Sequence, residues 1–475
     1  MALSTPAGVV HEQPVSICRT EALLRFALHG PKRCVVIGAG LAGLSAAYKL
    51  VKAEWRVDVF EARDRLGGRV WSHHFPDRDV EGLVCELGAE WIGKSHERVL
   101  ALCGQFHLAT EPHRYSTTFW MAKKPRRRVY GPEDPTLPGK VDSRYSRFLD
   151  RFKKMPFAER KQLDDFDWWS LLKRLRLTAG QLRQRELEDG TDFGESIRMA
   201  SGFVAATEYA YSNYSDELDY KVQGGNSRLV EALAREIQVR GGRVHLEAAV
   251  KAIRQNKSGV ELVVRGRLDR VKADLCICAV PATRLRRFTW SPVPEEHLDA
   301  AEQLQYSRIT KTAILFRDRF WQGRTIQRKG KTERTGFAVF TNRVADFCFD
   351  STCGITDTGP GILCSYAFGE KAANISSQDG NKLAEWIQDD VLEAQGKRRG
   401  TWPYRRPYHV KIQPWHEDRW AGGAYAFYRP GQWFTIRPIL QRPFGRVIFA
   451  GEHLADESGF MESAVRSGEA AAAQG

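Results

Sequence analysis

Apolar residues run unbroken from Cys34 to Ile37, recur at helical spacing through "LAGLSAAYKLVK" (Leu41 to Lys52), and alternate again in "RVDVF" (Arg56 to Phe60). Strand, helix and strand in that order predict a βαβ unit of a parallel sheet. From about Tyr115 to Tyr220 this pattern stops. The tract is aromatic and Arg-rich, with helical periodicity in "DDFDWWSLLKRLRL" and "SIRMASGFVAATEYAYS". It returns at "QGGNSRLVEALAREIQVRGG", where a Gly-Gly turn leads into a helix capped by Asn226 or Ser227. Strands follow at "RVHLEAAV", "GVELVVRG" and "ADLCICAV". Alternation in "RITKTAILFRDRFW" predicts strands of a second sheet. From Gly422 a turn-rich aromatic stretch runs into "RVIFAGEHLADESGFMESAVRSGEAAAA", read as strand, loop and final helix.

The chain therefore leaves one domain and returns to it twice. The expected class is α/β, with a Rossmann-like dinucleotide-binding domain built from 32–114, 223–290 and 411–475. A mixed α+β substrate domain is expected from a helical insert at 115–222 and from 291–410. Residues 1–31 read as an extension with one short amphipathic helix around "CRTEALLRFAL". A length of 475 residues is more than one ordinary core accommodates, which agrees with two domains.

Between the first strand and its helix lies "GAGLAG". Gly38 can turn the chain where a side chain clashes, Gly40 lets a diphosphate approach bare backbone, and Gly43 lets the helix lie close on the strand. The helix then points its amide-rich end at the phosphates. Glu61 follows the second strand, about 20 residues past the glycines, where a carboxylate can hold ribose hydroxyls. Directly after it, "EARDRLGGR" offers a second backbone approach at Gly67-Gly68 and a cation at Arg69. Simple nicotinamide dehydrogenases have no need of this second loop.

Composition narrows the class. With 42% hydrophobic and 27% charged residues the chain reads as a soluble globular protein. Its formal charge of +14 raises nucleic acid or anionic membrane as partners. The densest basic run, "KKPRRR" (Lys123 to Arg128), borders "PEDPTLPG" and reads better as a solvated loop, and no zinc-finger or RNP-like motif accompanies it. Nine cysteines show no C-x-x-C pair, and Cys276 and Cys278 suit buried thiols on one strand face. A reducing, cytoplasmic setting follows, with no metal site, nucleic-acid partner or transmembrane segment. A homo-oligomer is compatible with the sequence.

Taken with "ELGAEWIG" and "QGGNSRL", these N-terminal motifs and the C-terminal "FAGEHLADESGFMESAVRSGEAAAA" resemble the flavin-dependent amine oxidase family. That family includes monoamine, polyamine and L-amino-acid oxidases. The resemblance runs from about Pro31 to the end and is diffuse between Tyr115 and Tyr220. It implies FAD on Gly38, Gly40, Gly43, Glu61, Arg63, Gly68 and Arg69. It also implies adenine on the backbone of Val250, a second pyrophosphate contact at Gly451 and Glu452, and the flavin pyrimidine at the helix starting with Met461. By itself Met461 would read as a core methionine. Lys311, in "ITKTAILF", would read on composition as an edge or snorkelling lysine. The family keeps a lysine there, bonded through water to flavin N5. Members with covalent flavin carry cysteine where this chain has Ala424, so non-covalent FAD is implied. Tyr425 and Phe460 match the two walls of an aromatic cage, which core packing would explain equally well without the family context.

The activity implied is oxidative deamination by hydride transfer to flavin N5, with O2 reduced to H2O2. The catalytic residues are then Lys311, Tyr425 and Phe460, and the substrate contacts Trp91, Glu208, Tyr425 and Phe460. Reptile-venom L-amino-acid oxidases place an arginine where this chain has Trp91, a departure that resembles the amine oxidases. The Arg-rich insert and the positive charge point to an amino acid instead, and Glu208 could receive a basic side chain or a second amine. The reading favours an L-amino-acid oxidase over a monoamine or polyamine oxidase. A flavin-dependent desaturase, an isoprenoid or porphyrin oxidase, and a flavin-bearing binding module stand behind these.

Overall fold

The structure, a computed structural model, describes residues 31–75, 82–113, 115–121, 128–130, 143–211, 219–321, 324–328, 331–352, 359–397 and 404–475. The expected N-terminal helix and Lys123 to Arg127 of the basic run lie outside them.

Five parallel strands make the first sheet, in the order Val447–Phe449, Leu275–Cys278, Arg33–Ile37, Arg56–Phe60, Arg243–His245. Arg33–Ile37 is the middle strand and is buried from Cys34 onward, as a strand covered on both faces must be. Helix Leu41–Lys52 packs between Met461–Ala473 and Ser227–Val239. The crossing with Met461–Ala473 is tight because a Cβ on Gly468 would stand 2.1 Å from Ala42 O. A four-stranded sheet, in the order Val271–Ala273, Gly259–Val264, Val250–Asn256, Thr289–Ser291, lies beside it.

The large sheet has eight strands. Its path runs His409–Pro414, Ile309–Phe316, Gly361–Phe368, Phe347–Asp350, Lys331–Thr341, Tyr115–Met121, Arg128–Tyr130, with Arg324–Arg328 paired to Lys331–Thr341. The fold is thus two-domain α/β, with a parallel sheet and a mixed one.

Local readings failed where long-range pairing took over. "RVHLEAAV" is two strands: Arg243–His245 stays in the parallel sheet, the chain turns at Glu247 (φ 52), and Val250 opens the next sheet. The helical insert begins with Tyr115–Met121, which pairs in parallel with Lys331–Thr341. The expected boundary at 410/411 falls inside His409–Pro414, whose residues pair along Ile309–Phe316. Asn226 does not cap its helix. Its Oδ1 accepts from Val222 N at 2.9 Å, and its Nδ2 donates to Ala89 O and Glu90 O at 3.0 and 2.9 Å.

Seven cysteines are described, all free and buried. No helix among the described residues is long and apolar enough to cross a membrane, and none of the described His, Cys, Asp and Glu residues cluster to hold a metal.

Candidate active site

A cavity of ≈ 1170 Å³ runs from the glycine turn to the face of the large sheet. Drug-sized ligands fill about 300–1,000 Å³, so this space suits a dinucleotide and a small substrate together. Every residue expected at the site lines it except Gly43. Gly43 stands behind the turn, where a Cβ would meet Gly38 O at 2.0 Å, so its role is to let the helix touch the strand. Gly38 has φ +101, which a side chain resists.

The first half of the cavity fits a dinucleotide on its own geometry. A Cβ on Gly40 would find only Gly67 O, at 3.8 Å, so the glycine leaves bare backbone facing open space. No side chain caps the helix that starts there, and its first amides remain for an anion. The Glu61 carboxylate accepts from Ala39 N at 2.8 Å and Arg63 N at 2.9 Å. It is thereby fixed as an acceptor with lone pairs to spare.

Two expected cations are already committed. Arg63 forms a bidentate pair with Asp418, at 2.9 and 2.6 Å, so it braces the loop. Arg69 donates to Glu452 Oε1 at 2.7 Å, and Glu452 also accepts from Gly459 N at 2.9 Å. Glu452 therefore ties the N-terminal and C-terminal loops together. A Cβ on Gly459 would lie 2.9 Å from the Tyr425 ring, so that loop presses on the cage.

The second half is aromatic, lined by Trp91, Tyr115, Phe340, Phe347, Tyr366, Trp415, Tyr425 and Phe460. Tyr425 OH donates to Thr191 O at 2.7 Å and also contacts Asp192 O and Tyr366 OH. Trp415 Nε1 donates to Leu87 O at 2.7 Å. Phe460 packs edge-on to His96, ring centres 5.3 Å apart. The Trp91 ring sits 5.5 Å from Phe349, and its buried Nε1 has no hydrogen-bond partner.

Lys311 is almost wholly buried. Its Nζ donates to Glu86 O at 3.0 Å, Gly88 O at 2.9 Å and Glu90 Oε2 at 2.6 Å. An ammonium has three N–H donors, so the water-bridged contact implied by the family pattern has no donor left here. Burial opposes the charge on Lys311, but Glu90 outweighs it and holds the ammonium above its ordinary pKa. Burial likewise raises Glu90, and Lys311 with His113 overcomes it, holding the carboxyl down at about 2.

Apart from Lys311, the cationic lining residues are Arg63 and Arg69, Lys251 and Arg265 near Val250, Arg419, and Arg284 and Arg287 on the turn Ala282–Arg287, where Arg284 donates to Arg419 O at 3.0 Å. The aromatic half carries Glu90, Asp192, Glu208 and Asp219. Asp219 pairs with Lys94 at 2.9 Å, and Asp192 accepts from Tyr209 OH at 2.9 Å. Glu90, Tyr366 and Trp415 were missed from the sequence. Glu90 stands inside "ELGAEWIG", where its four-residue spacing from Glu86 was the available signal; the other two belong to no motif.

Residues 41–474 match the flavin containing amine oxidoreductase profile. The chain is 27% identical over 483 residues to an L-amino-acid oxidase of Daboia russelii, covering 95% of this chain and 92% of that one. It is 27% identical over 495 residues to one of Echis ocellatus, covering 97% and 94%. Its fold matches putrescine oxidase bound to putrescine (TM-score 0.76, 22% identity, 94% and 98% covered). It also matches the cyclohexylamine oxidase of Brevibacterium oxydans IH-35A (TM-score 0.75, 21% identity, the same coverage). With a glycine turn shaped for a diphosphate at one end of the cavity and an aromatic chamber at the other, the chain belongs to the flavin-containing amine oxidoreductases.

Proposed function

We propose that the protein oxidatively deaminates a primary amine, using FAD held non-covalently. Bound there, FAD would supply the two-electron acceptor for oxidation of the amine-bearing carbon, with O2 as final oxidant giving H2O2 and water hydrolysing the imine product. Gly38, Gly40, Glu61 and the amide end of the helix from Leu41 would hold the adenosine diphosphate, and Val250 the adenine. Met461 opens the helix whose amide end would face the pyrimidine. Tyr425 and Phe460 would hold the amine between ring faces and exclude water. The ammonium of Lys311 would stand as a fixed charge in the chamber wall.

The observation that carries an amine over an amino acid is the charge of the aromatic half. Burying a substrate carboxylate without a cation or several donors costs several kcal/mol, about the price of an unpaired buried ion. Among the described lining residues that half supplies one cation, Lys311, with its donors taken, against the four carboxylates of Glu90, Asp192, Glu208 and Asp219. A second reading, an L-amino-acid oxidase, has support from the full-length relatives and from Trp91 Nε1, a buried donor that a carboxylate could accept from. Paired substrates decide. Phenethylamine and cadaverine are expected to bleach the flavin anaerobically faster than L-phenylalanine and L-lysine, and the reverse order would establish the amino-acid oxidase.

Ala424 stands immediately before Tyr425 and offers no thiol to bond the flavin. Acid precipitation is therefore expected to leave FAD in the supernatant. Yellow colour retained by the washed pellet would show a covalent bond.

A further inference from the structure

Glu90 has no role in the reading above, yet it is built into the wall with Lys311. The two side chains are 1% and 3% exposed and 2.6 Å apart. The other oxygen of Glu90, Oε1, lies 2.9 Å from His113 Nε2, which also meets Tyr115 OH. Asn226 Nδ2 clamps the backbone on either side of Glu90, through Ala89 O and Glu90 O. The carboxylate is thus held at both oxygens, one of them spent on Lys311, while Asn226 fixes the backbone that carries it.

The remaining titratable groups around Lys311 do not replace it. Glu86 offers Lys311 its backbone oxygen, while its carboxylate accepts from Ser72 Oγ and Asn226 N at 2.9 and 2.8 Å. Burial lifts that carboxyl to about 7. Cys85 and Cys364 bring buried thiols, the hydrogen bond with Cys85 and then burial raising the pKa of Cys364. Tyr366, on the paired strand, and Trp91 present ring faces 5.8 and 5.6 Å from Nζ.

We infer that Glu90 is the positioning residue of this site: it fixes Lys311 as a permanently charged ammonium, so that Lys311 acts through its charge and not by holding a water or moving a proton. A buried ammonium stripped of its counter-ion titrates at lower pH, because burial then has no full opposite charge to offset it. With Glu90 in place, Lys311 keeps its proton through the working range. This rests on the reading of the cavity as the flavin and amine site.

The test uses the FAD-loaded enzyme, reduced anaerobically and mixed with O2 between pH 6 and pH 9, with the flavin midpoint potential measured over the same range. Wild type is expected to show no titration of Lys311 in either measurement. Glu90→Gln should introduce one: reoxidation falls by about tenfold per pH unit above the new pKa, and the potential gains a bend at the same pH. Glu86→Gln should keep the wild-type profile. In a Lys311→Met background, Glu90→Gln should add no pH dependence.

A flat Glu90→Gln profile overturns the inference, and so does a bend that survives in the Lys311→Met background. If Glu90→Gln alone does not fold, Glu90→Gln/Lys311→Met should, since it removes both charges. Failure of that double variant while Lys311→Met folds also overturns the pairing. Should Lys311→Met reoxidise like wild type, the role given to Lys311 fails first, which is a different result from a flat Glu90→Gln profile.

Discussion

The Lys311→Met enzyme is expected to bind FAD and to be reduced by its amine at close to the wild-type rate, while O2 reoxidises it roughly a hundredfold more slowly, the scale for one preorganised charge lost from a closed site. The lysine lines the cavity but touches none of the groups assigned to the adenosine diphosphate. Flavin content should therefore survive. Stability should not. Methionine leaves Glu90 buried with His113 as its remaining partner, and breaking a buried pair from one side costs about 3–5 kcal/mol. The sign with pH follows from burial. In wild type, folded Glu90 ionises at about 2 and unfolded at about 4.5, so the pair's contribution is complete above the unfolded value and is lost as pH falls through the folded one. Without Lys311, burial keeps the carboxyl protonated to higher pH than in the unfolded chain. The deficit in melting temperature is then largest near pH 7 and shrinks toward pH 4. Stopped-flow reoxidation and melting curves at the two pH values check both halves; unchanged reoxidation would return Lys311 to a purely structural role.

Gly43→Ala and Gly40→Ala should fail in opposite ways, though the two residues are three apart on one turn. A methyl at Gly43 would sit 2.0 Å from Gly38 O and 3.2 Å from Ala279 Cβ, against backbone and the neighbouring strand. The helix must move off the sheet, and overpacking of that kind costs about 1–3 kcal/mol or more. Helix Leu41–Lys52 also carries the contacts to Met461–Ala473 and Ser227–Val239, so the shift spreads. Gly43→Ala is expected to lower the apoprotein's melting temperature by several degrees. Gly40→Ala meets nothing closer than Gly67 O at 3.8 Å and has ordinary φ, so the apoprotein should melt as wild type does. Its methyl stands where the diphosphate approaches, and FAD affinity should fall by at least about tenfold, or 1.4 kcal/mol. Equal FAD affinity in Gly40→Ala and wild type would place the diphosphate elsewhere.

The nucleotide half of the site was legible in the sequence because its chemistry is local. A strand, a tight turn and a helix N-terminus within about twenty residues make a phosphate site wherever they occur, and Gly38, Gly40 and Glu61 are related by spacing along one chain segment. The same holds for the helix at Met461 and for the buried strand from Cys34. Legibility ended where partners come from distant segments. Lys311 could be singled out in its strand, but the pairing that sets Tyr366 beside it, and the packing that brings Glu90 from the loop after Val84–Glu86, leave no spacing to read. Asn226 shows the same limit. Its type and place suit a helix cap, yet the folded chain offers it the Ala89 and Glu90 carbonyls, and those bonds win. Local sequence thus determined where a dinucleotide would lie. Only the tertiary structure decided that the lysine facing it has no free donor, because a buried charge takes its partners from whatever segments the fold packs around it.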